Sequence, residues 1–247
     1  MSIEPLIGVK AMTIRTPWRT YLDARNLLTD CAMRAAVVNV AWRDTAARLI
    51  DDGIAVWLFA LPEQNDEGTG DDAIRDEWQD TVARMSETGK AIGAKGQVLN
   101  GERGFGILTN TERASLVGNL TRRARSGESI TFATHNGLAK LARRIGPELG
   151  RSGVFCSPEA YHYQRADGDI VGRVSSVVAG WRAFGFAGVT PYVGSLAKGT
   201  EFHEARAVRY WDAAEAELGG LVWCSRRPRG IELAAMRRWA LRQTGRA

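Results

Sequence analysis

Cysteine and histidine are both scarce in this chain, and their scarcity excludes several classes of protein. The 247 residues include three cysteines and three histidines. Cys31, Cys156 and Cys224 are too few and too widely spaced for a disulfide framework or a zinc knuckle, so we interpret them as reduced thiols in the core. The histidines lack carboxylates at the spacing that a metal site needs. We therefore expect neither a metal nor any other cofactor.

Long apolar runs and nucleotide-binding loops are lacking as well. No run approaches the roughly 18 residues of a membrane-spanning helix, and the N-terminal MSIEPLIGVKAM does not have the basic-then-apolar pattern of a signal peptide. We expect synthesis in the cytoplasm, with a virion or cell lysis as the route to any extracellular target. The segment GERGFG has its glycines at the wrong spacing for a nucleotide fingerprint.

The charge of the chain is mildly basic. The net charge is +5, the isoelectric point is about 9.4, and arginines cluster in TRRAR, ARRIG and SRRPRG. This balance suits an anionic partner such as an acidic cell-wall polymer, although solvated outer faces of helices explain it equally well. No DNA-binding helix pair, aromatic RNA-binding strand pair or zinc finger is recognisable, so nucleic acid is not the expected partner.

Short apolar runs alternate with helical patterns along the chain. The predicted strands are 7–12, 37–42, 55–61, 96–100, 130–134, 153–157, 188–193 and 221–224. The predicted helices are 17–35, 44–52, 73–88, 109–126, 138–149, 169–185, 201–218 and 231–244. Eight strands, each followed by a helix, predict an α/β fold with one (β/α)8 TIM barrel over residues 1–247. A doubly wound sheet, which needs no particular number of strands, is the alternative.

The fourth strand has the most informative end. In GQVLNGERG, the buried strand Gly96–Asn100 is followed by a carboxylate, Glu102, between glycines. Catalytic groups of barrel enzymes lie at the C-terminal ends of strands and in the loops that follow them. The residues at these ends are Lys10, Trp42, Asp44, Glu63, Asn100, Glu102, His135, Asn136, Glu159, Tyr161, His162, Tyr163, Tyr192, Ser195, Trp223 and Ser225. Polar and aromatic side chains together suit sugars.

Hydrolysis of a glycosidic bond needs two carboxyl groups that face it, about 5–5.5 Å apart for retention or 6.5–9.5 Å for inversion of configuration. Glu102 and Glu159 follow strands that are two apart in the barrel order, and Glu63 is the fallback partner. Glu102 also has a simpler interpretation, as a loop carboxylate paired with Arg103. The aromatic residues likewise have one, as packing at the barrel mouth.

Four strand ends carry a resemblance to a known group of enzymes. VLNGE, CSPEAYHY, TPYVG and VWCS together resemble glycoside hydrolase barrels of the family 18 and family 25 type. The resemblance implies that Glu102 is the proton donor, that Tyr161 presents a hydroxyl to the substrate and that Trp223 forms the floor of a sugar subsite. The chain departs from the family pattern at Asn100, which stands where an ionisable acid is expected and cannot exchange a proton with Glu102.

Three functions remain open from the sequence. The first is a glycosidase that acts on peptidoglycan or another cell-wall or surface polysaccharide, as in a phage-associated lysis protein. The second is a barrel that binds glycan without cleaving it, or a structural component of a larger assembly such as a virion. The third is a metabolic enzyme with Lys10 as an amine nucleophile, which requires Lys10 to point into the barrel mouth.

For the first function, the candidate residues form two sets. The catalytic candidates are Glu102, Glu159, Asn100 and Tyr161. The substrate-binding candidates are Trp42, Glu63, His135, Asn136, Tyr163, Tyr192 and Trp223.

Overall fold

A computed structural model gives the architecture. It describes residues 9–14, 16–60, 78–101, 109–134, 146–158, 170–186, 188–195, 220–224 and 227–242. Predicted elements in the remaining ranges, including the loop at 62–72, most of the helix at 138–149 and the whole helix at 201–218, lie outside the described residues.

Eight parallel strands form the sheet. They are β1 (Lys10–Thr13), β2 (Ala35–Asn39), β3 (Ala55–Ala60), β4 (Gly96–Gly101), β5 (Ile130–Thr134), β6 (Phe155–Pro158), β7 (Tyr192–Ser195) and β8 (Gly220–Cys224). Their order is β6-β5-β4-β3-β2-β1-β8-β7. The strands from β1 to β6 each lie beside their neighbour in sequence, β7 lies beside β8, and β1 lies beside β8, which is the order of a barrel whose remaining junction is between β6 and β7.

The barrel closes between β6 and β7 through a short backbone contact. Cys156 of β6 forms a parallel bridge with Val189, three residues before β7 begins. The Cys156 N–H donates to the Gly188 carbonyl at 2.9 Å, and the Thr190 N–H donates to the Cys156 carbonyl at 2.9 Å. The fold is thus a (β/α)8 TIM barrel, as the sequence predicts.

Helices cover the outside of the sheet. They are α1 (Tyr21–Asp30), α2 (Arg43–Asp51), α3 (Trp78–Ile92), α4 (Asn110–Arg125), α5 (Ile170–Arg182) and α6 (Gly230–Leu241). Residues 146–150 are also helical, and short 3-10 helices occupy Thr16–Trp18 and Val40–Trp42. Among the described residues, no helix has the length and apolar character needed to cross a membrane.

Alternation along the strands separates an outer core from an inner one. On β1, Met12 packs in the layer between sheet and helices with α1 and α6 residues such as Leu27 and Met236. Ala11, one residue before Met12, packs instead with Trp57 and the other members of an interior cluster. The interior cluster of buried residues comprises Ala11, Ala35, Val37, Trp57, Val98, Ala133 and Tyr192. Successive side chains of a strand point to opposite faces, so this parity identifies the residues that line the barrel.

The start of α4 follows the sequence prediction closely. The Thr109 hydroxyl accepts a hydrogen bond from the Glu112 N–H at 3.3 Å, and the Glu112 carboxylate accepts one from the Thr109 N–H at 2.7 Å. This reciprocal capping box satisfies two N–H groups that a helix end otherwise leaves open. The two hydrogen bonds from Thr109, side chain first and then backbone, hold the pKa of Glu112 below its ordinary value.

For three predicted elements, the structure shows why the predicted boundaries are wrong. The helix predicted from Pro17 begins at Tyr21, because Thr16–Trp18 forms a 3-10 turn and Thr20 caps the helix. It ends at Asp30 rather than residue 35, because Ala35 already belongs to β2. The second strand ends at Asn39, whose side chain accepts a hydrogen bond from the Ala41 N–H at 2.8 Å and so turns the chain.

The seventh strand is the third case. Its predicted range was 188–193, but the ladder with β8 covers Tyr192–Ser195. Residues 188–190 pair with β6 instead, at the single bridge that closes the barrel. The apolar run GVTPYV therefore pairs first with β6 and then with β8. A strand prediction from sequence treats it as one element.

Candidate active site at the barrel mouth

The C-terminal end of β4 holds the site that the sequence favours. Asn100 is 6% exposed and shares the interior face of β4 with Val98, two residues earlier. Gly101 is the last residue of β4. Glu102 is the next residue in the chain and lies outside the described residues. The strand thus brings its buried amide to the mouth of the barrel, directly before the candidate acid.

Neighbouring strands surround Asn100 with small and polar side chains. Asn100 is in register with Ala133 of β5, and Ala133 is in register with Ser157 of β6. Ser157 is completely buried. Asn100 and Ser157 therefore flank the Ala133 methyl group on one level of the interior, with roughly 4.8 Å between adjacent strands.

The opposite side of the interior carries a second polar contact. The Tyr192 hydroxyl donates to the Thr13 hydroxyl oxygen at 3.3 Å, and both residues are buried. Tyr192 begins β7 and Thr13 ends β1, so this hydrogen bond crosses the position of β8 between them. The aromatic ring of Tyr192 faces the interior, as a substrate-binding residue requires, and its hydroxyl reaches toward the C-terminal end of β1.

The described interior wall carries no charge. By strand parity, its members are Ala11, Thr13, Ala35, Val37, Asn39, Ala55, Trp57, Phe59, Val98, Asn100, Thr131, Ala133, Phe155, Ser157 and Tyr192. None of these described residues bears a carboxylate, an amine or a guanidinium. Amides, hydroxyls and aromatic rings of this kind suit a neutral polyhydroxylated ligand.

The two tryptophans predicted to bind substrate occupy different positions. Trp42 lies in the 3-10 helix after β2, is half-buried, and packs against the outer core cluster rather than the interior one. Trp223 is in register with Thr13 on one side and with Gly194 on the other, near the C-terminal end of β8. Asp44 is exposed in the first turn of α2.

Most of the remaining candidates lie outside the described residues. They are Glu63, Glu102, His135, Asn136, Glu159, Tyr161, His162, Tyr163 and Ser225. Their roles stay predictions. Asn100 and Tyr192 are the candidates whose side chains the structure places on the interior wall.

Lys10 does not have the position that the third hypothesis requires. It is the first residue of β1, not a residue beyond its end. Its side chain is 3% exposed, its ammonium donates to the Trp239 carbonyl of α6, and it lies 4.9 Å from the centroid of the Trp239 ring. Lys10 shares strand parity with Met12, so it faces the helix layer rather than the barrel mouth.

Two cysteines are described with their side chains. Cys31 and Cys156 are buried, and neither is in a disulfide bond. Burial raises the pKa of the Cys156 thiol well above its ordinary value, so the thiol stays protonated and is a poor nucleophile. Within the described ranges, no group of three or more histidine, cysteine, aspartate and glutamate side chains is arranged to hold a metal ion.

Four polar residues of the interior wall are not among the sequence candidates: Thr13, Asn39, Thr131 and Ser157. Each lies inside a predicted strand, or one residue beyond it, rather than in the loop that follows. Alternation within ITFAT and GVFCS distinguishes the two faces of each strand, so this parity was available from sequence. It does not say which face is inner, and the structure supplies that information through Ala133.

Comparison with known proteins extends these findings at the level of fold. No protein-family model and no curated protein matches the chain. Among solved structures, the spore cortex-lytic enzyme SleL of Bacillus megaterium QM B1551 matches with a TM-score of 0.60 and 10% identity, over 92% of this chain and 72% of SleL. A chitinase from Chromobacterium violaceum ATCC 12472 matches with a TM-score of 0.61 and 10% identity, over 94% of this chain and 98% of the chitinase.

Aldolase barrels match as well. A protein described as QR15, an aldolase, has a TM-score of 0.56 and 9% identity, over 96% of each chain. At such identities the comparisons establish the barrel fold and leave the activity to the residues of the site. The resemblance to glycoside hydrolase barrels is thereby confirmed as a similarity of fold.

Proposed function

We propose that the protein is a glycoside hydrolase that acts on a cell-wall or surface polysaccharide, with Glu102 as the general acid. The observation that supports this most directly is the end of β4, where Asn100 is buried on the interior wall and Glu102 follows two residues later. In this mechanism, Glu102 protonates the oxygen of the leaving sugar. A second carboxylate, from Glu159 or Glu63, attacks the anomeric carbon or activates a water.

The neutral interior wall supports a sugar over the substrate of an amine-dependent aldolase. Aldolase chemistry through a Schiff base needs a lysine amine that reaches the substrate in apolar surroundings. The chain has five lysines. Of the three in the described ranges, Lys10 faces the helix layer, Lys90 belongs to α3 and Lys95 precedes β4. Lys140 and Lys198 lie outside those ranges.

The identity of the polysaccharide extends the same proposal. SleL is described as a spore cortex-lytic enzyme and the Chromobacterium protein as a chitinase. Peptidoglycan and chitin are therefore the substrates to test first. A role in cell lysis, or in a larger assembly such as a virion, would bring the protein into contact with peptidoglycan.

The second candidate function is glycan binding without cleavage, and Asn100 favours it. An amide can hydrogen-bond to a sugar or to a carboxylate, but it does not ionise. If the barrel needs an ionisable acid at that position to assist Glu102, the protein retains a sugar-binding mouth and lacks hydrolysis. Conversion of Asn100 to Asp supplies the carboxylate and tests this alternative.

The experiment is hydrolysis of peptidoglycan, chitin, mannan and xylan by wild-type protein and by Glu102→Gln. We expect wild type to release reducing ends and Glu102→Gln to lose about 100-fold or more in rate, the scale of general acid catalysis. Glu159→Gln and Glu63→Gln identify the second carboxylate by the same measurement. Glu87→Gln, at an exposed position of α3, is the matched control and should leave the rate unchanged.

Two results separate the functions. Equal rates for wild type and Glu102→Gln on a cleaved substrate would show that another group is the acid. No cleavage of any polymer, with retained binding and with activity gained in Asn100→Asp, would establish the binding barrel instead.

A further inference from the structure

Two buried hydroxyl groups in the interior wall lack an evident hydrogen-bond partner. Ser157 is 0% exposed and Thr131 is 1% exposed. Neither the Ser157 Oγ nor the Thr131 Oγ1 has a hydrogen-bond partner among the described residues. Buried hydroxyls are almost always hydrogen-bonded in folded proteins, because an unpaired one loses its interactions with water and gains none in return.

The register places both hydroxyls around one small side chain. Thr131 precedes Ala133 by two residues on β5, so the two share the interior face. Ser157 is the register partner of Ala133 on β6. Thr131 and Ser157 are therefore diagonal neighbours on adjacent strands, and Ala133, which is level with Ser157 and follows Thr131 on the same face of β5, contributes a single methyl group.

The surroundings define the chemistry of the group that would fit there. On the β4 side, Asn100 stands level with Ala133, and the described interior wall has no charged side chain. A charged guest would be poorly compensated in this environment. Diagonal neighbours on adjacent strands are about 7–8 Å apart, so two hydroxyls that turn toward each other come within reach of one group between them. A hydroxyl group suits that position, because it can both donate and accept at about 2.8 Å from each partner.

We propose that Thr131 and Ser157 form a hydroxyl-binding pocket inside the barrel. A water molecule fills it in the free protein, and a hydroxyl of the bound sugar replaces that water in the complex. The second half rests on the proposed function. Ser157 is then a residue that positions and selects the substrate, and Ala133 is small because the guest occupies the space beside it.

Stability of single and double variants tests the first half without any substrate. If a water bridges the two hydroxyls, Ser157→Ala and Thr131→Val each weaken its binding, and each should lower Tm by about 2–4 °C. The double variant should lose clearly less than the sum, because both changes remove the same bridge. Thr121→Val is the reference variant, because it removes a hydroxyl that donates to the Val117 carbonyl within α4. Its change in Tm shows what the loss of a hydroxyl with a known partner costs.

The sign of the change in Tm distinguishes a water-filled pocket from two unpaired hydroxyls. Replacement of truly unpaired hydroxyls by apolar groups of similar shape is neutral or stabilising. An unchanged or higher Tm in both single variants, or fully additive losses, would therefore overturn the shared pocket.

A crystal structure of the free wild-type protein provides the independent measurement. We expect an electron-density peak within about 2.7–3.2 Å of both hydroxyl oxygens, and an empty position there would also overturn the proposal. Crystals soaked with an N-acetylglucosamine tetramer test the second half. A sugar oxygen in place of the water supports it, whereas an ordered sugar with the water retained overturns it. The pocket of the free protein does not depend on hydrolysis, so a failure of the Glu102 experiment leaves this test intact.

Discussion

At the scale of single residues, close backbone contacts decide where the chain tolerates change. Gly150 ends the helical segment 146–150, and a Cβ atom added there would overlap the backbone oxygen of Phe184. Gly180 lies on the exposed side of α5, where an added Cβ meets no atom within 4 Å. The two glycines therefore respond to the same substitution in opposite directions.

We predict that Gly150→Ala destabilises the protein by about 1–3 kcal/mol or more, because two backbone segments must move apart. Gly180→Ala should stabilise it by about 0.5–1 kcal/mol, because alanine has the higher helix propensity. Urea denaturation of the two variants beside wild type measures both. Equal stability of Gly150→Ala and wild type would show that residues 146–150 do not pack on Phe184 in solution.

At the scale of elements, one partly buried carboxylate connects α3, α4 and β4. Glu128 accepts hydrogen bonds from Gln97 of β4 at 2.9 Å and from Arg123 of α4 at 3.1 Å. Lys90 of α3 lies 3.7 Å from the other carboxylate oxygen. Burial raises the pKa of Glu128, but the hydrogen bonds from Gln97, Ser86 and Arg123, together with the Arg123 charge, outweigh it and hold the pKa below its ordinary value.

This shift makes stability depend on pH with a defined sign. Because the folded pKa is lower than the unfolded one, the ionised carboxylate stabilises the fold above its ordinary pKa of about 4.3, and the stabilisation disappears as pH falls through the folded value. We predict that Glu128→Gln costs about 1–3 kcal/mol at neutral pH and that its difference from wild type narrows in acid. Thermal unfolding across pH, with Glu87→Gln as the exposed control, measures it; a difference that does not change with pH would contradict the prediction.

The elements also show how far sequence reasoning reaches. β5 has the predicted boundaries, and β3, β4 and β8 differ from the prediction by one residue. These strands are predictable because each is a continuous apolar run that local sequence features delimit. The capping box of α4 was predictable for the same reason. The sequence does not predict that residues 188–193 pair first with β6 and then with β8. The bridge at Val189 depends on a partner 33 residues earlier in the chain. The hydroxyls of Thr131 and Ser157 likewise become neighbours only once the register of β4, β5 and β6 is known.

Within the candidate site, the sequence rule of strand ends holds for Asn100, whereas Tyr192 and Lys10 are the first residues of β7 and β1. The structure also assigned the faces. Asn100 and Tyr192 were nominated from sequence, and both lie on the interior wall. Lys10 was nominated by the same rule and lies on the helix side, because a one-residue change in strand phase reverses the face. The alternation of β4 does not extend to Glu102, which follows the last residue of the strand, so the sequence pattern assigns it no face.

At the scale of the whole molecule, the seam between β6 and residues 188–190 has fewer register pairs than any strand ladder in the described part of the chain. One bridge and its two hydrogen bonds close the barrel there, whereas β2 and β3 share five register pairs. We predict that the amides of Cys156 and Thr190 exchange their hydrogens at least about tenfold faster than those of the β2–β3 ladder, through a local opening of the seam.

Hydrogen exchange at increasing urea concentrations measures this directly. Local opening exposes little surface, so the exchange of Cys156 and Thr190 should depend weakly on urea, while the β2–β3 amides should follow global unfolding. A common, strong dependence for all these amides would show that the barrel opens only as one unit.

The uncharged interior wall also affects how the kinetics of the enzyme would be interpreted. The amide of Asn100 and the hydroxyls of Ser157, Thr131 and Thr13 do not ionise in the working range of an enzyme. Both limbs of a bell-shaped pH–rate profile would then report groups outside the described wall, in the substrate or in residues such as Glu102 and Glu159. The described wall would contribute no ionisation to the pH–rate profile. Each inflection of the profile could therefore be assigned, by single substitution, to a residue outside that wall.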